Sequence, residues 1–591
     1  MRRIIFLLLT SCLLVSAVEP EQSSEGSQGS ADYRSRTIYF LLADRFHAHD
    51  PYQPYIDPDY PTATNSVNCF ITDCTDEHQW RSYWGGDIQG IIQKADYLQH
   101  LGVSAIWITP LMENVRDYGD GIGYGTGYHG YWIQNYYRVN AHFGNWDDVR
   151  QLSGLLHTNG TRYMQDITLN HSNPLDTHVY GQLFETGWGD QTLINSYADD
   201  YDPATGLRFY KHYNDDPRCQ QVVNKDYQEI VPDSQWSYWQ LHHCLLVDLS
   251  GYDQRNPTVA NYLLGAGKEW VRNGVDDFRL DAIKFVFPEF VSRYTSTVTH
   301  YSRSLGKPAP YFVGEWSNGG VGDAKSLAFA NRYNVLGTNI FDFQLSFALN
   351  QFIGGDYEVD NGQGVSQKLN GYALDNFLHE RVISFGGRDT WQGTFIDNHD
   401  QMRTLVRLQK LGVVSETERE QRMDLATVLL MTGRGIPIIY YGDEQYLAYY
   451  NDQDNTKDVN SSNDDPYNRP GMKTWDESTP AFKTIKILAD LRRSNTAISR
   501  GNYRTIYVDN DTLIYERLDG SNIVLVAVNR GPEKTVSLPG FIGFRSGEYS
   551  GLLQDASGVN SSNYLNIGQR SWTVHLGPLS SLVVPTITST Q

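Results

Sequence analysis

The chain has 591 residues, a formal net charge of −21 at pH 7 and 13% aromatic residues, among them 40 Tyr and 13 Trp. That length suggests two or three domains, and the aromatic content excludes a disordered chain. So acidic a protein is a poor partner for nucleic acid.

The opening "MRRIIFLLLTSCLLVSA" has a basic start, an apolar run and a small-residue end. It is expected to be a secretory signal peptide, residues 1–17, cut after Ala17. It is too short to span a membrane, and no later segment has the ~18 uninterrupted apolar residues a span requires. Its loss removes Arg2 and Arg3 and moves the net charge from −21 to −23. The expected product is secreted, extracellular and not associated with membranes. Residues 18–35, with the polar stretch "EPEQSSEGSQGSA", form a flexible linker. Cys12 leaves with the signal peptide, and the even count that remains favours two disulfides. Proximity in sequence favours Cys69–Cys74 and Cys219–Cys244. Sequons stand at Asn159, Asn460, Asn510 and Asn560.

From there strands alternate with helices. "TIYFLLADRF", "VSAIWITP", "RYMQDITLNH", "VDDFRLDAI", "YFVGEW", "LGTNIFDF", "GTFIDNHD" and "IPIIYYG" are eight predicted strands, each followed by a helix or a helix-length segment. Such alternation implies a parallel sheet, and eight units imply a closed (β/α)8 TIM barrel, domain A, over 36–171 and 248–495. The long stretch 172–247 after the third strand is predicted to be an inserted domain B. After residue 495 the pattern changes to short strands separated by Gly, Asn and Asp turns. Residues 496–591 are therefore predicted to be an antiparallel β-sandwich, domain C.

The fourth strand carries Arg279 and Asp281 on one face, with Lys284 just beyond. Isolated buried charge costs several kcal/mol unless paired, so this pattern needs a reason. Other strand ends are equally polar: Asn170 and His171 after strand three, Glu315 after strand five, and Asn398, His399 and Asp400 after strand seven. The active site of a (β/α) barrel forms at these ends. Three carboxylates, Asp281, Glu315 and Asp400, can converge there. Retaining glycoside hydrolysis needs a carboxylate nucleophile and a carboxylic acid ~5–5.5 Å apart. A cation beside Asp281 favours its ionised form, and the apolar setting of Glu315 between Gly314 and Trp316 favours its protonated form.

With these residues in place, the chain resembles the α-amylase family, glycoside hydrolase family 13. "DITLNH", "FRLDAIK", "FVGEW" and "TFIDNHD" look like the family's four conserved regions, and "LVDLS" (246–250), "GYHGYW" (127–132), "DPYNR" (465–469) and "GIPIIYYGDEQ" also fit. The resemblance implies Asp281 as nucleophile, Glu315 as proton donor, Asp400 as transition-state stabiliser and Arg279 as the residue that positions Asp281. It implies sugar contacts from Tyr131, Trp132, His171 and His399, more distant ones from Asp465 and Arg469, and one on the leaving-group side from Lys284. A structural calcium is expected between barrel and insertion, bound by Asn170, Asp248 and the carbonyl of Phe285. Phe285 stands where the family usually has His. No chloride is expected, because "GIPIIYYG" offers no extra basic residue. The expected substrate is an α-1,4-glucan such as starch, glycogen or maltodextrin, and the expected state is a monomer.

The match is strongest to cyclodextrin glucanotransferases and maltogenic amylases. Two features nevertheless favour an α-amylase that hydrolyses internal bonds, with transglycosylation as the alternative. Those transferases carry further β domains, and they place aromatics where this chain has Cys244 and Ser317.

Overall fold

Eight short strands carry the catalytic half of the molecule: β1 (Ile38–Leu41), β2 (Ala105–Ile108), β3 (Arg162–Thr168), β4 (Asp277–Asp281), β5 (Phe312–Gly314), β6 (Asn339–Ile340), β7 (Gly393–Thr394) and β8 (Ile436–Tyr440). A computed structural model describes residues 32–50, 81–115, 126–174, 201–211, 216–219, 237–246, 249–317, 321–355, 359–360, 366–449, 468–540 and 544–586. The strands pair in parallel in chain order, β8 returns to pair with β1, and a parallel bridge from Phe341 to Gly393 links β6 to β7. The predicted (β/α)8 barrel is therefore present. Strands such as "IYFL" and "AIWI" are buried at every position, because parallel strands in a barrel are covered on both faces.

The helices begin where local chemistry satisfies their free N–H groups. Helix α1 (Trp146–Thr158) opens with a capping box between Asn145 and Asp148. Helix α2 (Pro257–Arg272) opens with Asn256 as cap and proline in its first turn. The two pack through Trp146 and Trp270, whose rings are 4.6 Å apart.

Between β3 and α2 the chain makes the predicted excursion. The outgoing strand His171–Pro174 runs antiparallel to the returning strand Leu249–Gly251, and Tyr210 bridges to Tyr252. A short helix, Tyr238–His243, ends at Cys244, which is bonded to Cys219 as expected. Cys69 and Cys74 lie outside the described residues.

The C-terminal part contains two four-stranded antiparallel sheets. One orders β9 (Asn502–Val508), β10 (Thr512–Asp519), β11 (Asn522–Asn529) and β16 (Ser580–Pro585); the other orders β12 (Lys534–Pro539), β15 (Ser571–Leu576), β14 (Tyr564–Ile567) and β13 (Gly547–Ser550). Leu525 and Ala527 face the other sheet, where Leu565, Trp572 and Val574 complete a second core. Val524, Val526 and Val528 alternate to the opposite face and join the barrel's core. Both faces of β11 are thus buried, which explains its unbroken apolar run. One of the four sequons is not at the surface. Asn560 is buried and its Oδ1 accepts from the Ser581 N–H at 2.9 Å, so it is not presented to solvent.

Candidate active site

Strands β3 and β4 set the site's register. Asp166 lies opposite Arg279, and Thr168 opposite Asp281. Because side chains alternate across a strand, Arg279 and Asp281 point into the same space. Arg279 Nη1 donates to Asp281 Oδ1 at 2.6 Å and to Asp166 Oδ1 at 3.0 Å; Nη2 donates to Glu315 Oε2 at 2.9 Å. The guanidinium is 1% exposed and lies 5.2 Å from the ring centre of Trp107. A single planar fork holds three carboxylates from fixed positions, a geometry that the compact ammonium of a lysine would not reproduce. Asp166 also accepts from Tyr131 Oη at 2.8 Å and Trp107 Nε1 at 3.0 Å.

Glu315 follows the end of β5, and its backbone N–H donates to the carbonyl of Leu280 on β4. Gly314 permits the close approach of these strands, since a Cβ there would fall 2.3 Å from Ile283 Cδ1. Just after Asp281, Ala282 takes a left-handed conformation with φ of 46°. This costs an L-residue roughly 1–2 kcal/mol, and it aims the Ala282 N–H at Glu315 Oε2, 3.2 Å away.

Burial dominates the titration of these groups. It pushes Glu315 up to about 7, against Arg279 and with help from the charges of Asp281 and Asp400. It pushes Asp281 up to about 6, against Arg279 and with help from Asp166. Arg279 does favour the ionised form of Asp281, as expected, but desolvation outweighs the cation. The order is still the useful one, with Glu315 holding its proton to higher pH than Asp281. Asp400 differs. Burial raises it, but His399, Arg469 and Arg279 together outweigh that and hold it below the usual carboxylate range.

The opposite wall is built around His399. Its ring stacks on Tyr131, 5.2 Å between centres, and Nε2 is 3.3 Å from Asp400 Oδ2. Burial pulls His399 down to about 3, so it is neutral at working pH. Arg469 donates to the His399 carbonyl at 2.9 Å and to Asp400 Oδ1 at 3.1 Å. The structure thus places Arg469 directly on Asp400, nearer the carboxylates than its sequence position implied. Trp132 immediately precedes the strand Ile133–Val139 and lies edge-on to His129. Lys284 Nζ lies 5.8 Å from the Trp316 ring centre. His171 is buried, with its carbonyl accepting from Tyr136 Oη. A narrow pocket here is lined by Arg279, Glu315, His399 and Asp400 together with Phe40 and Trp107. Asp465 and Asp248 lie outside the described residues.

The residues expected to hold calcium are arranged differently. Asn170 Oδ1 and the Phe285 carbonyl do converge, but they converge on Lys211 Nζ, at 2.7 and 2.5 Å. An ion coordinated by both oxygens at the ~2.3–2.6 Å usual for calcium would coincide with that ammonium. These two residues therefore do not offer an open metal site.

Sequence reasoning missed Asp166 and Lys211. Asp166 had a signal: it is a charge within a buried strand, the same anomaly that marked Arg279. Lys211 had none, because nothing in "RFYKHY" shows which oxygens it meets.

Residues 40–507 match the family "Alpha amylase, catalytic domain". The chain belongs to the α-amylase family. It is accordingly an enzyme of that glycoside hydrolase and transferase family, whose members act on α-glucans. It is 34% identical to a cyclomaltodextrin glucanotransferase of Klebsiella oxytoca across 97% of this chain and 81% of that one. It is 28% identical to an α-amylase of Niallia circulans, across 94% and 92%. Among solved structures, a cyclomaltodextrin glucanotransferase with a three-domain ABC distribution superposes with a TM-score of 0.73 at 30% identity, covering 93% of this chain and 99% of that chain. That transferase removes the argument from domain number: extra β domains are not a requirement of glucanotransferases.

Proposed function

We propose that this α-amylase family member is a retaining 4-α-glucanotransferase of the cyclodextrin-forming type. The observation that carries the chemistry is Asp281 and Glu315 held by the two amino groups of one guanidinium. Such a fork keeps their oxygens only a few ångströms apart, compatible with the ~5–5.5 Å of a retaining pair. Asp281 attacks the anomeric carbon of an α-1,4-linked glucose while Glu315 gives its proton to the departing glycosidic oxygen. The bond to the leaving chain breaks and a β-glucosyl ester of Asp281 forms. Glu315, now ionised, takes the proton of an incoming sugar 4-hydroxyl, which attacks the same carbon and restores the α configuration. Asp400, held ionised by its neighbours, and neutral His399 line the space where positive charge develops on the sugar ring.

Transfer rather than hydrolysis is supported by 34% identity to a glucanotransferase along 97% of the chain. A second reading, endo-hydrolysis, is favoured by one observation. Cys244 is committed to a disulfide and Ser317 is small, so neither supplies a ring that would shed water. The test is chromatography of the products from soluble starch with wild type and Asp281→Asn. Cyclic maltooligosaccharides from wild type alone support the transferase; linear products alone support the hydrolase. Equal turnover by both proteins would overturn the proposed chemistry altogether.

A further inference from the structure

Lys211 reaches the barrel from the insertion, beside the bridge that pairs Tyr210 with Tyr252. Its backbone N–H donates to the Gly251 carbonyl at 2.8 Å, and the Tyr252 N–H donates to the Asn170 carbonyl at 2.7 Å. The side chain is 2% exposed. Its stem lies against Gly251, where an added Cβ would stand 3.3 Å from Lys211 Cδ and 3.2 Å from Leu245 Cδ2. The ammonium then reaches two oxygens from two different strand ends: Asn170 Oδ1, after β3, and the Phe285 carbonyl, after β4.

We infer that Lys211 is a built-in cation that takes the place of a metal ion, so that the junction of insertion and barrel holds without calcium at Asn170 and Phe285. A divalent ion would gather these oxygens with several more. Here a covalently attached amine, which burial pulls down to about 7, gathers the same two, and a metal ion at that point would meet it at contact distance. The tie also bears on the active site. With Asn170 Oδ1 turned to the lysine, Asn170 Nδ2 faces His171 Nδ1 at 3.3 Å. That nitrogen then accepts, and the imidazole proton sits on Nε2. On the other arm, the Phe285 carbonyl lies in the turn that carries Lys284 away from Asp281. One lysine therefore holds both strand ends that carry site residues.

The experiment is thermal unfolding of the full-length protein, chelator-treated, with and without calcium ions alone, for wild type, Lys211→Met and Asn170→Ala. Methionine keeps an unbranched stem of similar length and loses the charge. Wild type is expected to keep its Tm without calcium, and Lys211→Met to lose several degrees. If wild type gains stability from calcium and Asn170→Ala abolishes that gain, the ion uses this site and the inference fails. If the gain survives Asn170→Ala, the ion binds elsewhere and the inference stands. A wild-type Tm for Lys211→Met would also overturn it. If Lys211→Met does not fold, the Asn170→Ala comparison alone decides.

Discussion

Arg279 Nη1 lies 2.6 Å from Asp281 Oδ1, inside the mouth of the barrel. Its other amino group holds Glu315, so one cation sets the proton affinity of both groups assigned to the chemistry. With Asp281 at about 6 and Glu315 at about 7, the productive state has Asp281 ionised and Glu315 protonated. kcat/KM on maltooligosaccharides is expected to rise through about 6 and fall through about 7. In Arg279→Lys the single compact ammonium cannot hold both carboxylates from the two separate, fixed positions of the guanidinium fork. Losing the hydrogen bond that favours each ionised form raises both values, so both limbs of the profile move to higher pH. The maximum should fall by ~10²-fold or more, the scale of losing a preorganised electrostatic contact. An unshifted profile would show that Arg279 does not govern these groups.

Asp166 gives the opposite sign. Its negative charge raises Asp281, so Asp166→Asn should move the acid limb to lower pH. Asp166 is not among the strongest influences on Glu315, so the alkaline limb should stay and the profile should widen. Activity should fall at the same time, because Arg279 loses one of its anchors. A full pH–rate profile separates this from simple misfolding, which would lower the curve without widening it.

The carboxylates were legible in the sequence because burial and charge conflict there: Arg279 and Asp281 break an apolar strand, and only function or pairing explains that. The barrel was legible from eight alternations of strand and helix. What the sequence hid depends on distance between segments far apart in the chain. Lys211 meets Asn170 and Phe285 only because the insertion folds back antiparallel to its own exit strand. Arg469 reaches Asp400 from 69 residues away. The direction of the Asp281 shift also needed the fold, because an adjacent arginine argues for lowering and only the depth of burial reverses that.

The elevated Glu315 links activity to stability. Its folded pKa, about 7, exceeds the ordinary carboxylate value of 4.5. The folded state therefore binds more protons than the unfolded state between those two values, and stability falls as pH rises through that window. Glu315→Gln removes the ionising group while keeping its shape. The variant should match wild type near pH 4 and exceed it above pH 7, where each 1 kcal/mol gained moves Tm by about 1 °C in a chain of this size. Its activity on starch should fall by ~10²–10⁴-fold, as expected when a general acid is lost. Calorimetry at both pH values checks the first claim. A variant no more stable at pH 8 than at pH 4, relative to wild type, would contradict it.

Ser317 tests what decides the fate of the glucosyl ester. It stands two residues beyond Glu315, is exposed, and follows Trp316, which is fully buried against Tyr333 at 4.9 Å between ring centres. Position 316 is thus committed to the core, whereas 317 is free to present a side chain at the mouth. A flat apolar ring there would displace water from beside the ester and offer a stacking surface to an incoming sugar. Cys244, the other small residue at a place where related transferases carry a ring, cannot be changed without breaking its bond to Cys219. Ser317→Phe is therefore the cleaner probe. It should raise the ratio of transfer to hydrolysis several-fold on maltooligosaccharides, chiefly by slowing the release of new reducing ends. A ratio that stays constant, with both rates lowered equally, would mean that acceptor choice is set elsewhere, by parts of the cleft beyond the barrel's strand ends.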